Sequence, residues 1–162
     1  MTSQSATFLQ ILRLAYSPRI PPLLQHLERI GCKPLATPPK AHPQIAELFP
    51  RTSAVPVYGL ANRVETWKRP LKVGALFSGG PAAGGHNVLT GLFDALMQID
   101  STSELYGFLG GFSGLIENRA QELNKAQIDA VRNQGGFDLI GSGRTKIETA
   151  EHLQAAMGAL KN

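Results

Sequence analysis

The sequence has 162 residues, 43% hydrophobic and 17% charged, with a net charge of +4; this is about one domain's worth of chain, too apolar to be disordered by composition. No run approaches the ~18 apolar residues of a membrane span, and Met1–Ile20 lacks the basic start and long apolar stretch of a signal peptide. The single cysteine, Cys32, excludes an internal disulfide and a cysteine-cluster metal site, and a reducing cytoplasm is the simplest expected compartment.

The average hides two different halves. Ten of the eleven prolines lie in residues 1–70 and fifteen of the seventeen glycines in residues 71–162. Residues 1–70 carry nine basic side chains against three acidic, a net of +6, whereas residues 71–162 carry seven against nine, a net of −2. The sequence pI near 9.5 therefore belongs to the first half. Its basic residues are scattered from Arg13 to Arg69 instead of clustered, which reads as a solvated face and gives no nucleic-acid footprint. Neither an internal repeat nor a low-complexity tract is present.

In chain order, Ala6–Tyr16 places Phe8, Ile11, Leu12 and Ala15 on one helical face and ends at Ser17-Pro18. Leu23–Ile30 repeats the pattern, with Pro21 and Pro22 at its start and Gly31 after its end. Lys33–Lys40, with three prolines, reads as extended, Pro43–Phe49 as a third short helix, and Thr52–Tyr58 as an extended or short strand segment whose Pro56 disfavours a central strand. Trp67–Pro70 reads as a junction, so residues 1–70 form a proline-broken helical extension. His26 and His42 read as surface or packing residues.

Residues 71–162 alternate strand, glycine loop and helix. Lys72–Phe77 is a buried-strand candidate. The loop Ser78-Gly79-Gly80-Pro81-Ala82-Ala83-Gly84-Gly85 follows, then a helix over Asn87–Ile99 with Val88, Leu89, Leu92, Leu96 and Ile99 on one side. Leu105–Leu109 is a second strand ending at Gly110-Gly111. Ala126–Asn133 is a short helix with Asn124 as cap, closed by Gly135-Gly136. Phe137–Ile140 leads into a third glycine turn, Gly141-Ser142-Gly143-Arg144. A last helix runs to about Leu160, started by a capping box at Thr145-x-x-Glu148 or by Thr149. The alternation predicts an α/β fold with a partial Rossmann-like parallel sheet of about three strands, with an exposed edge that favours oligomers.

A glycine loop between a buried strand and a helix aims backbone N–H groups and the helix dipole at one point, which suits phosphate. Gly79-x-x-x-x-Gly84 has the glycine spacing of a Walker A loop, but Gly85-His86 replaces the Lys-Ser/Thr pair. The dinucleotide fingerprint Gly-x-Gly-x-x-Gly is absent. A tight packing turn accounts for the loop equally well. Arg144, in a second glycine-flanked turn at a strand's C-terminal end, adds a planar bidentate phosphate donor, against the plainer reading of a surface arginine beside a helix start. Asp94, within a helix, and Asp100 and Asp138, as turn or cap residues, offer no convincing catalytic carboxylate. His86 and His152 lack partners at metal-ligand spacing.

Three motifs, Phe77-Ser78-Gly79-Gly80-Pro81-Ala82-Ala83-Gly84-Gly85-His86-Asn87, Leu105-Tyr106-Gly107-Phe108-Leu109-Gly110-Gly111 and Asn133-Gln134-Gly135-Gly136-Phe137-Asp138-Leu139-Ile140-Gly141-Ser142-Gly143-Arg144, stand in one order. Together they resemble the start of a phosphofructokinase, most nearly the long, pyrophosphate-dependent type. The resemblance covers Lys72–Leu160 strongly and residues 1–70 loosely. It implies phosphoryl transfer, with Mg²⁺, from pyrophosphate (or ATP) to fructose 6-phosphate in glycolysis. It also implies donor-phosphate contacts at Gly79, Gly80, Arg144 and Thr145, and a place for Phe112 near the donor pocket. The segments that carry the family's catalytic aspartate, Mg²⁺ ligand and sugar-phosphate site have no counterpart here. The expectation is therefore an N-terminal piece, residues 71–162 being the first part of the donor-binding domain, inactive alone. The alternative is a non-catalytic phosphate-binding or regulatory module that pairs with a longer chain.

Overall fold

In a computed structural model, which describes residues 6–36, 42–66, 68–80, 83–134 and 139–161, the chain divides into two compact units. One is Met1–Pro18 with Lys68–Asn162, and the other is Arg19–Trp67.

The second unit is the simpler. Two 3₁₀ turns, Pro22–Leu24 and Leu27–Arg29, lead into strand β1 (Ile30–Pro34). Two short helices, α2 (Pro43–Leu48) and α3 (Pro50–Ser53), precede strand β2 (Tyr58–Asn62), which pairs antiparallel with β1 from Ile30↔Asn62 to Pro34↔Tyr58. The helix expected over Leu23–Ile30 is thus replaced by 3₁₀ turns and a strand. His26, at φ −128° and ψ 73°, leaves helical backbone between the two turns, and Ile30 finds its cross-strand neighbour, Asn62, 32 residues away. The extended segment expected over Thr52–Tyr58 likewise begins as helix α3. Part of the expected extended Lys33–Lys40, residues 37–40, and the junction residue Trp67 lie outside the described residues.

The first unit holds the α/β core. Helix α1 (Phe8–Ala15) begins with a reciprocal capping box between Thr7 and Gln10. The expected strand Lys72–Phe77 is two: β3 (Lys72–Ala75) and β4 (Phe77–Ser78). Helix α4 (Gly85–Ile99) follows, then β5 (Glu104–Phe108), α5 (Phe112–Ile116), β6 (Ala120–Glu122), α6 (Lys125–Val131), β7 (Ser142–Gly143) and α7 (Ala150–Ala159). β3 runs parallel to β5 and β6 antiparallel to it, giving the order β3-β5-β6, while β4 runs parallel to β7. This is a mixed, partial Rossmann-like α/β fold. The antiparallel β6 and the single-turn α5 depart from the purely parallel alternation. The expected capping box at Thr145 does not form; Thr149 caps α7, accepting from the His152 N–H. Residues 135–138, including Gly135-Gly136 and the start of the Phe137–Ile140 segment, lie outside the described residues.

Because successive strand residues point to opposite faces, β5 feeds two clusters. Leu105 joins Leu89, Phe93 and Leu96 of α4, Leu123, Ile128 of α6 and Ile140; Phe108 joins Leu115 of α5 and Ala156 of α7. Leu89 and Leu105 are 1% exposed and Ile128 fully buried, each worth about 1.5–3 kcal/mol of transfer free energy. His86, Leu89, Thr90, Phe93 and Leu96 form the inward stripe of α4, whereas Val88, expected on it, is 65% exposed. Gly107 lies under Ile140, whose side chain occupies the place a Cβ would take.

α6 begins where Asn124 accepts from Gln127 N–H at 3.0 Å and Gln127 Oε1 accepts from Asn124 N–H at 3.0 Å. Asn124→Ala removes one arm of this box and is expected to destabilise the chain by about 1 kcal/mol. Urea unfolding measures it; an unchanged midpoint would show that α6 needs no cap.

Candidate functional site

The three glycine turns read from the sequence come together: two follow β4 and β5, and the third leads into and includes β7. Gly79 (φ +94°) follows β4, Gly110 (φ +72°) and Gly111 (φ +76°) follow β5, and Gly141 (φ +63°) precedes β7. Backbone bonds join them: Gly79 N–H donates to Gly143 O at 2.9 Å and Gly110 N–H to Ile140 O at 2.8 Å. A Cβ on Gly111 would stand 2.6 Å from Phe77 O and 2.9 Å from Gly143 N, and one on Gly143 would overlap Gly110 O. Three main chains therefore come together where only glycine fits.

Among the described residues, no heavy atom lies within 4 Å of a Cβ built on Gly79, Gly80 or Gly84. Residues 81 and 82 of the loop lie outside the described residues. α4 starts directly after it, with Gly84 as cap, no capping side chain and no acidic residue in its first turn, whereas α1, α6 and α7 are capped by Thr7, Asn124 and Thr149. Gly85 brings this first turn onto β4: its Cβ would stand 3.0 Å from the Phe77 ring.

Arg144 and Thr145 are both exposed. Arg144 follows the residue whose carbonyl holds Gly79 N–H, so its backbone is one peptide away from the glycine loop. Among the described residues Arg144 forms no ion pair, while its neighbour Lys146 lies 3.8 Å from Glu148. Phe112 opens α5 and packs on the Phe108–Leu115–Ala156 cluster.

The acids have other work. Asp94 accepts both arms of Arg132, at 2.7 and 2.9 Å, and Arg132 also reaches Asp129 at 3.2 Å. Asp94 first and then Asp129 hold the Arg132 guanidinium above its ordinary pKa. Lys125, bonded to Asp129, together with Arg132 holds the Asp129 carboxyl below its usual value. Asp100 caps its own turn, accepting from Thr102 Oγ1 at 2.6 Å and Thr102 N–H at 2.9 Å, which lowers its pKa. Asp138 lies outside the described residues. His26 Nδ1 stands 3.6 Å from Glu28, His42 caps α2 without a side-chain bond, His86 is buried at 2% exposure and His152 is half-buried in α7. Among the described residues no three His, Cys, Asp or Glu side chains gather as a metal site, and no helix is long and apolar enough to cross a membrane.

No family model matches the chain. Over 154 residues, 94% of its length, it is 42% identical to the pyrophosphate–fructose 6-phosphate 1-phosphotransferase of Porphyromonas gingivalis. The chain is a homologue of the N-terminal portion of that phosphotransferase family. It is also 39% identical over 91% of its length to the beta subunit of the Ricinus communis enzyme and 35% identical over 94% to the alpha subunit from Solanum tuberosum. It spans only 28% of the Porphyromonas protein and 27% of each plant subunit. In this phosphotransferase homologue the three motifs shape a single backbone cradle with one exposed arginine beside it. Two features of the site were not legible in the sequence. One is the β4–β7 pairing; its only local trace was the glycine content of both segments. The other is the close approach of Gly111.

Proposed function

We propose that this chain supplies part of the phosphoryl-donor site of a pyrophosphate-dependent phosphotransferase acting on fructose 6-phosphate. The observation that carries the reading is the convergence of the Gly79-Gly80, Gly110-Gly111 and Gly141–Gly143 segments, joined by backbone hydrogen bonds, beside the exposed Arg144. In this reading Gly79 and Gly80 allow close approach of the donor phosphates, the first turn of α4 lends amide donors and the positive end of its dipole, and Arg144 and Thr145 bond phosphate oxygens. Phosphoryl transfer depends mainly on positioning and charge stabilisation, and these groups would supply both for the donor alone. The described residues offer no cluster that fits a metal; in the complete enzyme Mg²⁺ would accompany the pyrophosphate on ligands from elsewhere. Fructose 6-phosphate and the catalytic carboxylate also belong to the complete enzyme, which we place in the cytoplasm, in glycolysis. The alpha and beta subunit names of the plant relatives support assembly into an oligomer, and residues 1–70 would form an extension ahead of the donor-binding domain at 71–162.

Titration calorimetry of the purified chain with pyrophosphate, with and without Mg²⁺, tests the reading. Saturable binding of pyrophosphate without turnover of fructose 6-phosphate is expected. Binding of ATP in preference to pyrophosphate would reassign the donor, and no binding of either would overturn the donor-site reading.

A further inference from the structure

Asn133, just after α6, has left-handed backbone at φ 57°, a conformation asparagine tolerates better than most residues. From there its backbone N–H donates to Asn87 Oδ1 at 2.9 Å, and its Nδ2 donates to Tyr16 O at 3.1 Å. Its neighbour Arg132 grips Asp94 with two bonds, at 2.7 and 2.9 Å. Asn87 and Asp94 are seven residues apart on α4, two turns along one face and ~10 Å along the axis. The end of α6 therefore holds α4 at two points. The Arg132–Asp94 point braces the middle of α4, whereas the Asn133–Asn87 point ties down its first turn, ahead of most of the buried stripe. The upper point lies in the first turn of α4, where Gly85 also seats against the Phe77 ring.

We propose that Asn87 is a positioning residue for the donor-phosphate site. It fixes the rotation of the first turn of α4 against the Gly79-Gly80 loop, so that the turn's amides stay aimed at an inorganic polyphosphate anion. It acts through those amides and does not itself touch the anion. The inference rests on the donor-site reading above. It adds a residue whose side chain faces α6.

The test compares pyrophosphate affinity in the unmodified chain, Asn87→Ala and Asp94→Ala, with unfolding midpoints recorded for each. Asn87→Ala is expected to bind pyrophosphate about two- to tenfold more weakly, the range for loss of one neutral hydrogen bond. Asp94→Ala loosens the same helix pair two turns away; it is expected to lower the unfolding midpoint and leave affinity within twofold. The Asn133 amide resonance should move on saturation with pyrophosphate in the unmodified chain and in Asp94→Ala, and stay still in Asn87→Ala. Equal affinity of Asn87→Ala and the unmodified chain overturns the positioning role. So does an equal loss in both variants, which would mean general loosening. If Asn87→Ala does not fold, the unmodified chain still decides: an Asn133 amide that does not move at saturation overturns the proposal. Absence of pyrophosphate binding by the unmodified chain is a different failure, which removes the donor-site reading and this role with it.

Discussion

Gly111→Ala is expected to destabilise the chain by about 3 kcal/mol or more, the combined scale of a glycine-only conformation and a core overlap. Gly111 has φ 76° and ψ −140°, backbone that L side chains scarcely enter. The added methyl would also press on Phe77 O at 2.6 Å and Gly143 N at 2.9 Å. Both neighbours are main chain, so no rotamer change relieves them. The remaining escape is to separate β4 from β7, which breaks the cradle. For a unit of this size a loss of this magnitude lowers the thermal midpoint by more than ~10 °C. Gly80→Ala is the matched control: among the described residues its Cβ meets nothing within 4 Å, and it has no positive φ, so its effect should stay within about 0.5 kcal/mol. Similar midpoints for the two variants in a thermal melt would refute the packed three-turn junction.

Arg144→Ala is expected to weaken pyrophosphate binding by about 10- to 100-fold, the equivalent of one charge-assisted hydrogen-bonding group. The side chain is exposed and has no ion pair among the described residues, so its removal should leave the unfolding midpoint unchanged. Arg144→Lys keeps the charge and loses the planar fork, and should recover only part of the affinity. Calorimetry at one fixed ionic strength separates these outcomes. Undiminished affinity in Arg144→Ala would remove Arg144 from the site, whatever the loop does.

The parts legible in the sequence are those fixed by local rules. Asn124 and Thr149 cap α6 and α7 as their side-chain chemistry requires, and the inward stripe of α4 follows its 3.6-residue period. The glycine turns were legible as turns, but which glycines exclude a Cβ, Gly111 and Gly143, was not. Partners distant in sequence were not legible. Leu23–Ile30 has helical periodicity, yet Ile30 pairs with Asn62, and that pairing outweighs the local preference. Lys72–Phe77 reads as one strand, yet its pairing with β5 stops at Ala75↔Gly107 and its end turns to Ser142. β6 spans three residues and α5 five, too short for either period to register. The site shows the same division. Its glycines and Arg144 could be named in advance, but the contacts of Gly111 and the Asn87–Asn133 bond exist only once the chain is folded.

The two-residue pairing of Phe77–Ser78 with Ser142–Gly143 also constrains the order of events during folding. α4 and α6 can each begin from neighbours in sequence. The β4–β7 ladder must close a loop of more than sixty residues for very few hydrogen bonds, and the entropy of that closure has to be met before the ladder stabilises anything. The glycine cradle is thus expected among the last features to form on refolding and among the first to open on unfolding. A bound anion that bridges Gly79 and Arg144 would act as a clasp across that ladder, slowing its opening more than that of the helices behind it.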